Sequence, residues 1–158
     1  MNRTVKSQQK QKRRKIINEV KAVFPSKSVN ESLARMIAAA MCGQLDPTID
    51  EIADIKTAVS EAVTNCIVHG YENKIGEIKL TARYYDNSVM QIIVKDNGKG
   101  IADIKKAMEP MYTTDISGER SGMGFSIMKS FMDKISVNSS PGKGTTVTFE
   151  KKIRIHNK

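Results

Sequence analysis

The stretch VMQIIVKDNGKGI, Val89 to Ile101, runs an alternating apolar strand straight into Asp96-Asn97-Gly98-Lys99-Gly100. By the two-residue period of a strand, Met90, Ile92, Val94 and Asp96 point the same way, which sets an acid on an otherwise apolar face. The two glycines after it permit a tight turn and a close approach of backbone to a flat polar ligand. A carboxylate on such a face needs a donor, because burying it unpaired is costly. The exocyclic amine of adenine is one candidate. Capping of the Asn97-Gly98 bend by the same carboxylate is an equally good reading.

Upstream, Glu77 to Tyr85 alternates with Ile78, Leu80, Ala82 and Tyr84 on one face, and Asp86-Asn87-Ser88 turns it into the Val89 strand as a hairpin. Further back, Thr48 and Glu51 have the spacing of a capping box. Behind them Ile52, Ile55, Val59, Ala62, Val63 and Cys66 draw the stripe of a long helix that ends near His69-Gly70. Ser28 and Glu31 repeat the capping spacing before a first helix, with Val29, Leu33, Ile37, Ala40 and Met41 as its apolar positions and Pro47 as its stop. Glu19 to Phe24 reads as an edge strand closed by Pro25.

Downstream, a short helix spans Ile104 to Met108, and Met111 to Ser121 reads as a mobile loop rich in Thr, Ser and Gly. Gly124 to Lys134 is helical, Ile135 to Asn138 a strand, Ser140-Pro141-Gly142-Lys143-Gly144 a turn, and Thr145 to Ile155 a last strand. Two helices, a hairpin, then a helix and another hairpin predict an α+β fold. It is a two-layer sandwich whose mixed, mainly antiparallel sheet carries helices on one face.

The 158 residues suit one domain, from about residue 16 to 158, able to bury roughly two-thirds of its unfolded surface. The formal charge of +9 is concentrated at the start, where Arg3, Lys6, Lys10, Lys12, Arg13, Arg14 and Lys15 precede the first acid, Glu19. Residues 1–15 therefore read as a solvated, disordered extension, and the nearly balanced body is not expected to bind nucleic acid. Cys42 and Cys66 lie in helical patterns without metal or disulfide spacing, and are read as small buried apolar residues. No apolar run is long enough to cross a bilayer and no signal peptide is visible, so the expected location is the cytoplasm.

Three segments offer chemistry. Glu61 and Asn65 lie one turn apart, nearly opposite the apolar stripe, so a carboxylate for proton transfer stands beside an amide suited to Mg²⁺. An ordinary wet helix face fits the same pattern. Gly122 and Gly124 open a helix whose bare N–H groups suit a phosphate chain, though a flexible linker before a helix reads the same. Arg120, just before them, has the reach to meet a terminal phosphate or simply to face solvent. Neither glycine cluster has the P-loop or dinucleotide-fold pattern.

Glu61 to Asn65, Asp96 to Gly100, and Gly122 with Gly124 resemble, in order, the N box and two glycine boxes of the ATPase fold shared by histidine kinases, DNA gyrase, the heat-shock chaperone and MutL. SEAVTN, His69-Gly70-Tyr71, EPMYTT and ERSGMGF narrow this further. From about Asn18 to Ile153 the chain is similar to the anti-sigma F family of sporulating bacteria. That resemblance implies ATP and Mg²⁺ as cofactors, inhibition of a sporulation sigma factor, phosphorylation of a serine on an anti-anti-sigma factor, and a homodimer. It assigns Glu61 as base, Asn65 as magnesium ligand and Asp96 as adenine reader. Gly98, Gly100, Gly122 and Gly124 become backbone approach points, Thr145 assists adenine recognition, Arg120 meets the γ-phosphate and Arg35 touches both protein partners. Cys66 departs from the small Ala or Ser usual there.

Three other functions compete: a general-stress anti-sigma kinase of the same family, a nucleotide-dependent binding module without transfer activity, and nucleic-acid binding through the basic tail. A sensor histidine kinase is disfavoured, since no dimerisation helix with a phospho-accepting histidine precedes the domain.

Overall fold

A computed structural model describes residues 13–72, 74–109 and 124–154. Its sheet has the order β1-β2-β3-β5-β4, from β1 (Ile16–Pro25), β2 (Glu77–Tyr85), β3 (Val89–Asp96), β4 (Lys134–Ser140) and β5 (Gly144–Lys152). Every described pairing is antiparallel, so no parallel pair is seen among these strands. The helices are α1 (Val29–Gly43), α2 (Ile49–Asn65), the short α3 (Ile104–Ala107) and α4 (Gly124–Phe131), and α2 runs on into a π turn at Cys66–Gly70.

The expected alternation decides which face is covered. Ile78, Leu80 and Ala82 of β2 and Met90, Ile92 and Val94 of β3 are all buried, joined by Val147 and Phe149 of β5. Against them α2 lays Ile55, Ala58, Val59, Ala62 and Val63, with Met128 of α4 completing the layer. Burial of each large apolar side chain stabilises by about 1.5–3 kcal/mol. The opposite face of the sheet carries residues such as Lys79, Lys134 and Ser136, which remain exposed.

The Thr48–Glu51 capping box is present: Thr48 Oγ1 accepts from Glu51 N at 3.1 Å and Glu51 Oε2 accepts from Thr48 N at 2.9 Å. The one expected at Ser28 is not. Ser28 itself has helical torsions and makes no side-chain cap, while Glu31 accepts from the Ser60 hydroxyl and pairs with Arg35. The apolar face of α1 is also shifted. Met41 is buried and Ile37 packs on the core as expected, but Val29 and Leu33 are exposed and Ala34, Ala38 and Cys42 are buried instead, so much of the contact α1 makes is through small side chains.

The strand expected over Glu19–Phe24 is longer, beginning at Ile16. Arg14, from the expected extension, lies over the Tyr85 ring and makes a two-pronged pair with Glu150 at 2.7 and 3.1 Å. The Met111–Ser121 loop lies outside the described residues. No helix among the described residues is long and apolar enough to cross a membrane.

Candidate functional site

Two clusters of functional groups sit along one length of helix. The first is at the end of α2, where Glu61 and Asn65 are half-buried beneath the start of α4. A Cβ at Gly124 would stand 3.1 Å from Glu61 Oε2 and 3.3 Å from both the Oδ1 and the Nδ2 of Asn65. Gly124 therefore lets the mouth of α4 close on these two side chains, where a carboxylate, an amide and bare helix N–H groups meet. Glu61 and Asn65 keep partial exposure on a helix face that the start of α4 approaches closely.

The second cluster surrounds Asp96, which is only 3% exposed. Its Oδ1 accepts from Gly98 N at 2.8 Å, so the carboxylate does cap the bend that follows it. The Thr145 N–H and the Cys66 thiol donate to it as well. All three donors are neutral. Burial dominates and holds the Asp96 carboxyl above its ordinary value, with the three hydrogen bonds pulling the other way. The Cys66 thiol is pushed up in turn by burial and by the neighbouring negative charge. A buried carboxylate with no cation among these partners is a strong acceptor for one more donor.

Cys66 follows Asn65 directly, so the two clusters are consecutive along the chain rather than separate places on the surface. The π turn is closed by Tyr71 N donating to Cys66 O at 2.9 Å, and it swings Gly70 against the acid. A Cβ at Gly70 would lie 3.1 Å from Asp96 Cγ, and one at Gly98 only 2.2 Å from Gly70 O.

Gly100 lies against another part of the chain. With φ at +74°, it packs on the turn after β4, where a Cβ would meet Ser140 O at 2.0 Å. Ile101 N donates to Ser139 Oγ at 2.8 Å, and that hydroxyl lies 2.8 Å from Thr145 Oγ1. Gly98 and Gly100 thus allow close approach to the protein's own backbone, and by doing so they bring the Asp96 turn, the π turn and Thr145 together.

Glu61, Asn65, Asp96, Gly98, Gly100, Gly124 and Thr145 all belong to this one region. Arg120 and Gly122 fall outside the described residues. Arg35 lies elsewhere, on α1, its Nη2 donating to Ser32 Oγ at 3.1 Å and its Nε 3.3 Å from Glu31 Oε1. Reading of the sequence alone did not assign Cys66, Gly70, Tyr71 or Ser139 to the site. The signal available was a glycine and an aromatic directly after a helix whose last turn carries a polar pair.

The donors and acceptors fit an adenine nucleotide: a buried acceptor flanked by a threonine at one end, and a carboxylate and an amide under a glycine-led helix at the other. Comparison with known proteins agrees in fold and sequence. Residues 24–151 match the family described as the histidine kinase-like ATPase domain. The chain is 59% identical over 136 residues to an anti-sigma F factor of Caldanaerobacter subterraneus subsp. tengcongensis, covering 86% of this chain and 94% of that one. To an anti-sigma F factor of Clostridium botulinum strain Eklund 17B it is 56% identical over 139 residues, covering 87% and 96%.

Among solved structures, the RsbU and RsbW domains of a Mycobacterium tuberculosis protein align with a TM-score of 0.64 at 17% identity, over 86% of this chain and 32% of that one. The catalytic domain of the histidine kinase ThkA aligns at 0.53 and 20% identity, over 85% and 96%. At these identities the structures speak for the fold alone. Carried by the match over residues 24–151 and by identities above half across nearly the whole length of its relatives, the chain belongs to the histidine kinase-like ATPase family and, within it, to the anti-sigma F factors.

Proposed function

We propose that this chain is an ATP-dependent protein serine kinase that also holds a sporulation sigma factor inactive, its phosphorylation substrate being the anti-anti-sigma factor. The observation that carries the reading is the meeting of Glu61, Asn65 and Gly124 at one end of a site whose other end is the buried Asp96 carboxylate. Bound ATP supplies the phosphoryl group, and Mg²⁺ offsets the charge on its phosphates.

In this reading Asp96 accepts the exocyclic amine of adenine, with Thr145 beside it to complete the base edge. The Asn65 amide would hold Mg²⁺, and the backbone at Gly122 and Gly124 would hold the phosphate chain. Glu61 takes the proton from the substrate serine hydroxyl as that oxygen bonds to the γ-phosphorus and the bond from it to the β-phosphate oxygen breaks, releasing ADP, and Arg120 meets the γ-phosphate. The half-burial of Glu61 beneath α4 supports its role, because a base must be held in place and sheltered from bulk water.

Arg35 is the proposed contact to both protein partners, a cation on an α1 surface that also exposes Val29, Leu33 and Met36 at 73%, 45% and 69%. That apolar face, next to the edge strand β1, supports a homodimer, and a cytoplasmic location goes with the proposed action on a sigma factor.

The test is Glu61→Gln. It should keep ATP affinity within a few-fold of wild type, while phosphate transfer to the anti-anti-sigma protein falls by orders of magnitude. Equal transfer rates would remove Glu61 from the chemistry.

A further inference from the structure

The acid that reads the base in this proposal is too deeply buried for solvent to adjust, so its direction is set by the backbone that carries it. That backbone is held by a phenol. The Tyr71 hydroxyl accepts the N–H of Asn97, the residue directly after Asp96, at 2.8 Å, and donates its own proton to the carbonyl of Glu77 at the start of β2. One oxygen thereby ties the end of β3 to the head of its neighbouring strand. Burial raises the phenol above its ordinary value, which keeps it protonated and able to donate.

The ring has little freedom to leave. It lies flat on Gly76, where a Cβ would meet Tyr71 Cε1 at 2.1 Å. Its own N–H closes the π turn on Cys66 O at 2.9 Å, and the preceding carbonyl, Gly70 O, accepts from Lys99 N at 2.9 Å. The turn Asp96-Asn97-Gly98 is thus fixed from below by Gly70 and from the side by Tyr71.

We propose that Tyr71 is a positioning residue for nucleobase discrimination, its hydroxyl aiming the Asp96 carboxylate at the base through the Asn97 N–H. The inference rests on the reading of Asp96 as the acceptor for the exocyclic amine of adenine.

The experiment compares the equilibrium affinity of the full chain for ATP with that for purine riboside triphosphate, which lacks the amine. Wild type should prefer ATP by about ten- to a hundredfold, the size of a hydrogen bond to a charged group. Tyr71→Phe should lose about three- to tenfold in ATP affinity, the size of one neutral hydrogen bond, with little change for the analogue. In an Asp96→Asn background the same substitution should change neither affinity further, because the two residues act as one unit. Gly76→Ala, which displaces the ring but keeps the hydroxyl, should narrow the ratio in the same direction.

A role confined to stability would lower the melting temperature and weaken both nucleotides equally, and that result overturns the inference. So does an ATP preference that survives both Tyr71→Phe and Gly76→Ala. If wild type binds the two triphosphates alike, the reading of Asp96 itself falls and takes the role of Tyr71 with it.

Discussion

Gly98→Ala puts the packing of the candidate site to a direct test. The added methyl would stand 2.2 Å from Gly70 O, 2.4 Å from Gly70 C and 2.8 Å from Gly70 Cα, all backbone atoms that cannot swing aside as a side chain would. To reach an ordinary contact the two loops must part by about 1 Å, a strain typical of overpacking at about 1–3 kcal/mol. That movement breaks or stretches two hydrogen bonds, Gly98 N to Asp96 Oδ1 at 2.8 Å and Lys99 N to Gly70 O at 2.9 Å. At about 1 kcal/mol each, they bring the total to roughly 3–5 kcal/mol. For a domain of this size that lowers the melting temperature by about 6–20 °C. Denaturant unfolding of the free protein measures the stability, and ATP titration of whatever remains folded should find affinity lost, since Asp96 is carried by the displaced turn. Gly43→Ala is the control: nothing lies within 4 Å of its Cβ position at the end of α1, so it should be neutral or stabilise by up to about 1 kcal/mol and leave ATP affinity alone. A Gly98→Ala protein with wild-type midpoint and wild-type ATP affinity would refute the contact between the two loops.

Burial raises Asp96 above its ordinary value, so its negative charge costs the free protein stability at neutral pH. That cost disappears as the pH falls through the raised value towards the usual carboxylate range. Asp96→Asn should therefore unfold at higher denaturant than wild type at pH 7, with the gap closing on acidification, and should bind ATP about ten- to a hundredfold more weakly; a gap that widens towards acid contradicts the assignment. Glu51→Ala removes both the second half of the capping box and the acceptor for Arg154 N at 3.0 Å, from a side chain only 7% exposed. It should destabilise by about 2–4 kcal/mol in denaturant unfolding without altering transfer per folded molecule.

The parts of the fold legible in the sequence are those where side-chain period and burial agree. Ile78 to Tyr84 and Met90 to Asp96 alternate because one sheet face is covered and the other is not, and the same alternation turns Asp96 inward. The α2 stripe and its Thr48–Glu51 box are legible for the same reason. In α1 the hydropathy pattern points to Val29 and Leu33, yet the helix is buried through Ala34 and Ala38. Alanine carries little hydrophobic signal, and its value here is that it permits close packing. Ser28 and Glu31 have the right spacing for a cap, but the competing partner of Glu31 is Ser60, on another helix, and no local pattern records that.

What the sequence could not convey at the site is the change of helical pitch after Asn65. A regular continuation would have Tyr71 N donate to Ile67 O; instead it reaches back one residue further, to Cys66 O, so the last turn holds an extra residue. That widening frees the Gly70 carbonyl to accept Lys99 N and sets the Tyr71 hydroxyl beside Asn97 N. The amide of Asn65 and the thiol of Cys66 are adjacent in the chain, yet one faces Gly124 and the other Asp96. A turn of ordinary pitch would offer no such pair of bonds to the Asp96 loop, and the base end and the phosphate end of the site would then be held only by elements far apart in sequence. The π turn makes them neighbours along the chain, so a methyl at Gly98, which parts the two loops, should disturb the site broadly, whereas the hydroxyl lost at Tyr71 should be felt at the base end alone.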